Sequence, residues 1–182
     1  MFDFSTRAVL CSGLLSCLAF AAAPAAKEAA KAKPTDPQIA AIVVAANAVD
    51  IEAGQLAKKQ TTNPEVTKFA EMMITDHTSV NQSASDLVTK LGVTPEENDT
   101  SKSLREGGTQ NLAKLKDLKG AAFDKAYVSH EVDYHVAVLD TIDKVLVPNA
   151  KNAELKALIV KVRPAIATHL EHARTLNKTL AK

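Results

Sequence analysis

Five histidines are the side chains of this sequence best suited to chemistry near neutral pH: His77, His130, His135, His169 and His172. Neutral imidazole is the commonest protein ligand for transition metals, and an imidazole withdrawn from water resists protonation. Three of the five sit on apolar stripes with helical spacing. His77 falls in the series Val66, Ala70, Met73, His77, Val80, Ala84 and Leu87. His135 falls in Val128, Val132, His135, Leu139 and Ile142, and His169 in Leu155, Val162, Ile166, His169, Ala173 and Leu176. At about 100° per residue, each of these three rings faces the apolar side of its helix. His130 points away from that side, and His172 lies on a flank.

Helices must position these rings. Asp36-Pro37 and Asn63-Pro64 are start signals, a capping Asx side chain followed by proline at the first helical position. They predict helix one from Asp36 to about Gln60, striped by Ile42, Ala46, Val49, Ala53 and Leu56, and helix two up to Leu91, stopped by Gly92. A long polar connection over 92–120 carries Pro95, Asn98-Asp99 and Gly107-Gly108. Leu104, Leu112, Leu115 and Leu118 allow a short extra helix inside it. Helix three is expected from about Ala121 to Leu146, and helix four from about Asn152 to the end, with Pro164 expected to kink or restart it. Four long amphipathic helices without strand signals predict an all-α fold, a four-helix bundle with its long connection between helices two and three.

The rise of a helix then sets heights. His77 lies roughly 20 Å into helix two, His135 roughly 21 Å into helix three, and His169 roughly 18 Å from the end of helix four. If the connection crosses back along the bundle, the three rings are level. Glu52 on helix one falls about a turn lower, and Met73 sits one turn before His77.

Three imidazoles with one carboxylate suit Zn, Cu, Ni or Fe, and a thioether in the set leans toward copper. His77, His135, His169, Glu52 and Met73 are therefore the candidate metal ligands. A di-iron carboxylate centre does not fit, because it needs Glu-x-x-His on two helices. The residues three before these histidines are Ile74, Val132 and Ile166. The blander reading is a polar core layer in which Asp76, Glu131, Asn81 or Glu52 satisfies each ring. Met72-Met73 likewise reads as core filling. Tyr127 and Tyr134 are expected to pack against the connection with their hydroxyls in reach of water. No paired inner carboxylates, glycine-rich phosphate loop or nucleophile elbow is evident, so hydrolase, kinase and glycosidase chemistry find no support.

The 22 basic and 21 acidic residues give a net charge of +1, which leaves no basic excess for nucleic acid or anionic lipid. Residues 1–25 read as a secretory signal, with an uncharged apolar stretch before Ala19-Phe20-Ala21. Leu14-Leu15-Ser16-Cys17 offers a lipoprotein box instead. Only in that case would an acylated Cys17 attach the chain to a membrane. Both cysteines, Cys11 and Cys17, lie here, so no disulfide or thiolate metal site is expected in the mature chain. Residues 26–35 read as an Ala/Lys/Pro linker and 36–182 as the bundle domain. The expected location is the periplasm or cell envelope.

Four segments, taken in order, resemble a known family. They are VDIEAGQLA around Glu52, FAEMMITDHTSVN at 69–81, FDKAYVSHEVDYH at 123–135 and HLEHARTL at 169–176. The chain resembles the bacterial envelope proteins grouped as domain of unknown function 4142, often labelled predicted outer-membrane proteins. The resemblance implies a ferritin-like helical bundle and an exported location; it implies no reaction. Two functional readings follow. One is an envelope protein that binds a transition metal (Zn, Cu or Fe) at the histidine cluster, in a binding or stress-related role without turnover. The other is a structural or interaction module that contacts an envelope protein partner and uses the histidines only for packing.

Overall fold

The computed structural model describes residues 33–182. The expected signal segment, both cysteines and most of the expected linker lie outside the described residues. Five long helices account for most of the rest: α1 (Asp36–Gln60), α2 (Pro64–Lys90), α3 (Asp99–Lys116), α4 (Gly120–Thr141) and α6 (Ala153–Leu180). A π-helical turn, Ile142–Leu146, and a three-residue helix α5 (Val147–Asn149) extend α4. Among the described residues there is no strand.

Local chemistry explains the boundaries. The Thr35 hydroxyl accepts from the backbone of Gln38, whose side chain accepts in return from Thr35, and Asp36 and Pro37 open the helix. Thr35, not Asp36, is therefore the cap. The Asp36 carboxylate instead accepts from the backbone N–H groups of Lys151 and Asn152 at 2.9 Å each, which ties the start of α1 to the start of α6. Asn63 and Asn152 cap α2 and α6.

α1, α2, α4 and α6 form the four-helix bundle, and α3 is a fifth long helix on its outside. Within the bundle α1 packs on α2 and α4, and α6 packs on α2 and α4. α3 lies mainly along α1, close enough that Gly108 faces Val49; a Cβ there would lie 2.7 Å from a Val49 methyl. The α3 backbone carbonyls of Leu115 and of Leu118 just beyond it accept from the Gln60 amide at the far end of α1. The 92–120 connection thus runs back along the bundle, mostly as helix, and leaves α2 and α4 parallel. The short extra helix allowed by the sequence is in fact 18 residues long.

Two apolar clusters fill the interior. One gathers Phe69, Met73, Leu115, Phe123, Tyr127 and Leu176; the other gathers Ile39, Ile42, Ile142, Leu146, Ile159 and Ile166. Pro164 neither breaks nor restarts α6, which is continuous across it. The carbonyl that loses its helical partner is that of Val160, a half-exposed residue that water can serve.

A candidate metal centre

His77, His135 and His169 meet between the two apolar clusters. Their ring centroids are 5.8 Å apart for His77–His135, 5.3 Å for His77–His169 and 5.6 Å for His135–His169. Each of the three residues is at most 2% exposed. One ring nitrogen from each lies within 4.8 Å of the other two, a span that one ion can close.

The hydrogen bonds fix which nitrogens carry protons. Asn47 Nδ2 donates to the Val43 carbonyl at 2.8 Å, so Asn47 Oδ1 is the atom turned to His77. His77 Nδ1 therefore donates to that oxygen, at 2.7 Å. His135 Nδ1 faces the Glu131 backbone carbonyl at 2.9 Å and donates to it. His169 Nε2 donates to the Asp76 carboxylate at 2.9 Å. Each neutral ring has then used its single N–H. What remains are three lone pairs, on His77 Nε2, His135 Nε2 and His169 Nδ1. All three atoms are buried and have no hydrogen-bond partner. Metal-binding histidines are oriented in just this manner, with the second nitrogen donating to a carbonyl or carboxylate.

Electrostatics reinforce the neutral form. Burial, aided by the neighbouring His135 and His169, lowers the pKa of His77 to about 3. Burial also lowers His135 to about 4, against an opposing hydrogen bond to the Glu131 backbone. His169 is lowered by burial too, offset in part by Asp76. Lone pairs are thus available to a cation well below neutral pH.

Two further groups stand behind the rings, and they correct the expectation that the interior lacks paired carboxylates. Asp50 on α1 and Glu131 on α4 are both buried, at 2% and 1% exposure. Asp50, Glu131 and His135 place ligand atoms within 4.8 Å of one another. Asp50 Oδ2 lies 3.5 Å from His77 Nδ1, and Glu131 Oε2 lies 3.5 Å from His135 Nδ1. Burial raises the carboxyl pKa of both, and the two acids raise Asp50 further by their proximity. The pair thus sets two carboxyl groups, whose ionisation burial opposes, beside the imidazoles.

Glu52 and Met73 are placed differently from the histidines. Glu52 is exposed, on the opposite side of α1 from Asp50, so the carboxylate that α1 brings inward is Asp50. Met73 is fully buried one turn from His77, packed in the cluster of Phe69, Ala70 and Tyr127. Asp76 and Glu131 partner the rings as the polar-layer reading expects. His130 stacks on Tyr134, and exposed His172 meets the edge of Phe69. Neither tyrosine hydroxyl follows expectation: Tyr134 donates to the Ala46 carbonyl on α1, and Tyr127 is fully buried.

A family model described as domain of unknown function (DUF4142) matches residues 21–176. The chain belongs to that family. No curated protein matches it. Among solved structures it is similar to one described as CopM in the Cu(II)-bound form, with a TM-score of 0.62 and 12% identity. That likeness covers 81% of this chain and 99% of the other. At such identity it establishes a shared all-α fold.

Proposed function

We propose that this protein binds a transition metal ion at His77, His135 and His169, in a binding role and outside the cytoplasm. The observation that carries the reading is the convergence of three buried, partnerless imidazole lone pairs, each held in place by a hydrogen bond from the ring's other nitrogen. Leaving three acceptors buried without donors costs stability, which a bound cation would repay. Copper is the ion to try first. Imidazole suits it, it heads the affinity series for divalent ions, and the structural neighbour is described in a Cu(II)-bound form. An ion held by three imidazoles supplies a Lewis-acidic or redox-capable centre. The chain's own residues fix the rings, exclude water and supply compensating carboxylates. Export rests on the signal-like segment at residues 1–25.

The test is metal content and metal-dependent melting with Cu, Zn, Ni and Fe, comparing the wild type with His135→Ala. The expected result is one ion per chain and a raised Tm in the wild type only. If no ion binds stoichiometrically and none shifts the Tm, the histidines are a polar core layer. Mass determination of the mature N-terminus and fractionation of the producing cell test the export.

A further inference from the structure

A cavity of about 170 Å³ lies immediately beside the histidine cluster, between α1, α3, α4 and α6. Its lining runs on α1 from Ile42 to Asp50, on α4 and the π-turn from Tyr134 to Leu146, and on α6 from Leu158 to Ile166. Eight residues of helix span about 12 Å. One end is apolar, at Ile42, Leu146 and Leu158. The other is polar, at Asn47, Asp50 and His77, and Ile166 there is one turn from His169. The cavity is thus an elongated bore along the bundle, about as long as a medium alkyl chain.

Natural cores are close-packed and carry few voids larger than a water molecule. The π-turn Ile142–Leu146 contributes Ile142 and Leu146 to its wall, and such turns recur at functional sites. The wall is almost wholly hydrocarbon, so ordered water finds few partners along it. Exposed Ala137 also lines it, which gives it a way in from solvent.

We propose that this bore is a binding site for a single unbranched alkyl chain of medium length, whose polar end lies toward Asn47, Asp50 and His77. An extended chain follows the whole length of the bore, which a compact ring does not span, and the polar end places a head group beside the imidazoles. The inference stands on the cavity and holds whether or not a metal occupies the histidines.

Metal-stripped protein titrated with 1-octanol, and separately with cyclooctanol, tests it by calorimetry and melting temperature. Octanol is expected to bind saturably and raise the Tm, with cyclooctanol at least tenfold weaker. Ala46→Leu and Ala137→Leu each put a larger side chain into the bore, and each should abolish the octanol shift while leaving the helical circular dichroism intact. Ala137 is exposed, so that variant guards against a folding defect. Phosphatidylglycerol vesicles separate two sources of the chain. Co-sedimentation that the leucine variants remove points to a membrane acyl chain; octanol binding without it points to a free amphiphile. Absence of saturable octanol binding, equal affinity for cyclooctanol, or unchanged binding in both variants would overturn the proposal.

Discussion

The buried ionisable groups of the site oppose one another as pH changes. Folded His77 and His135 titrate near 3 and 4, against 6.5 when unfolded. Below pH 6.5 the unfolded chain takes up protons that the folded rings refuse, so this contribution to stability is lost as pH falls from 6.5 toward 4. Asp50 and Glu131 act the other way. Their folded pKa values are raised, so their contribution is complete below the ordinary carboxylate range and is lost as pH rises through the raised values. Glu131→Gln removes one of the two titrations and relieves the other. In metal-free urea denaturation, the variant should gain on the wild type between pH 5 and 8, by up to about 1.4 kcal/mol per pH unit. A difference that stays constant across that range would show that Glu131 does not titrate there. Sequence periodicity located the three rings because each lies on an apolar stripe. It missed Asp50, which sits beside Val49 on the inner side of α1, because a carboxylate there breaks the pattern that periodicity detects. Glu52 drew attention through its segment's family resemblance, yet two residues along a helix turn a side chain to the far side.

At the scale of elements, the helix starts were legible, though the α1 cap is Thr35 and not Asp36, and helix packing was not. Asn63-Pro64 and the termini of α1 and α6 follow from cap residues whose bonds are local. α3 was underread because it is polar, carries Gly107-Gly108 and buries only Ser101, Gly108 and Leu115. Its stability comes from α1, a tertiary contact invisible to propensity. The π-turn has no signature in the sequence that we recognise. The two glycines give the packing a direct test. A Cβ at Gly107 meets nothing within 4 Å, while one at Gly108 would strike Val49 at 2.7 Å. Gly107→Ala should therefore stabilise the protein by about 0.5–1 kcal/mol, as alanine does in an open helix position. Gly108→Ala should destabilise it by about 1–3 kcal/mol, since α3 must move off α1. Equal effects in thermal or chemical denaturation would mean that α3 is not seated against α1.

For the whole molecule, the question is whether the histidine layer holds the bundle together or is carried by it. Two apolar clusters lie on either side of the layer, and each joins several helices through large buried side chains. The layer between them contains orphaned ring nitrogens and two desolvated carboxyls. It weakens the metal-free fold, and binding sites commonly trade stability in this way. His169→Leu isolates the effect. The substitution removes an unpartnered Nδ1, and the Asp76 side chain it leaves behind is 46% exposed and can turn to water. Without metal, His169→Leu should be more stable than the wild type by about 1 kcal/mol. With Cu(II) in excess the order should reverse, because ligand stabilisation reaches about 2.7 kcal/mol at a hundred times the dissociation constant and the variant lacks a ligand. Denaturant titrations with and without Cu(II) read both differences. A variant less stable than the wild type in both buffers would make His169 a structural member of the core, and the bundle would then depend on the layer it was expected to carry.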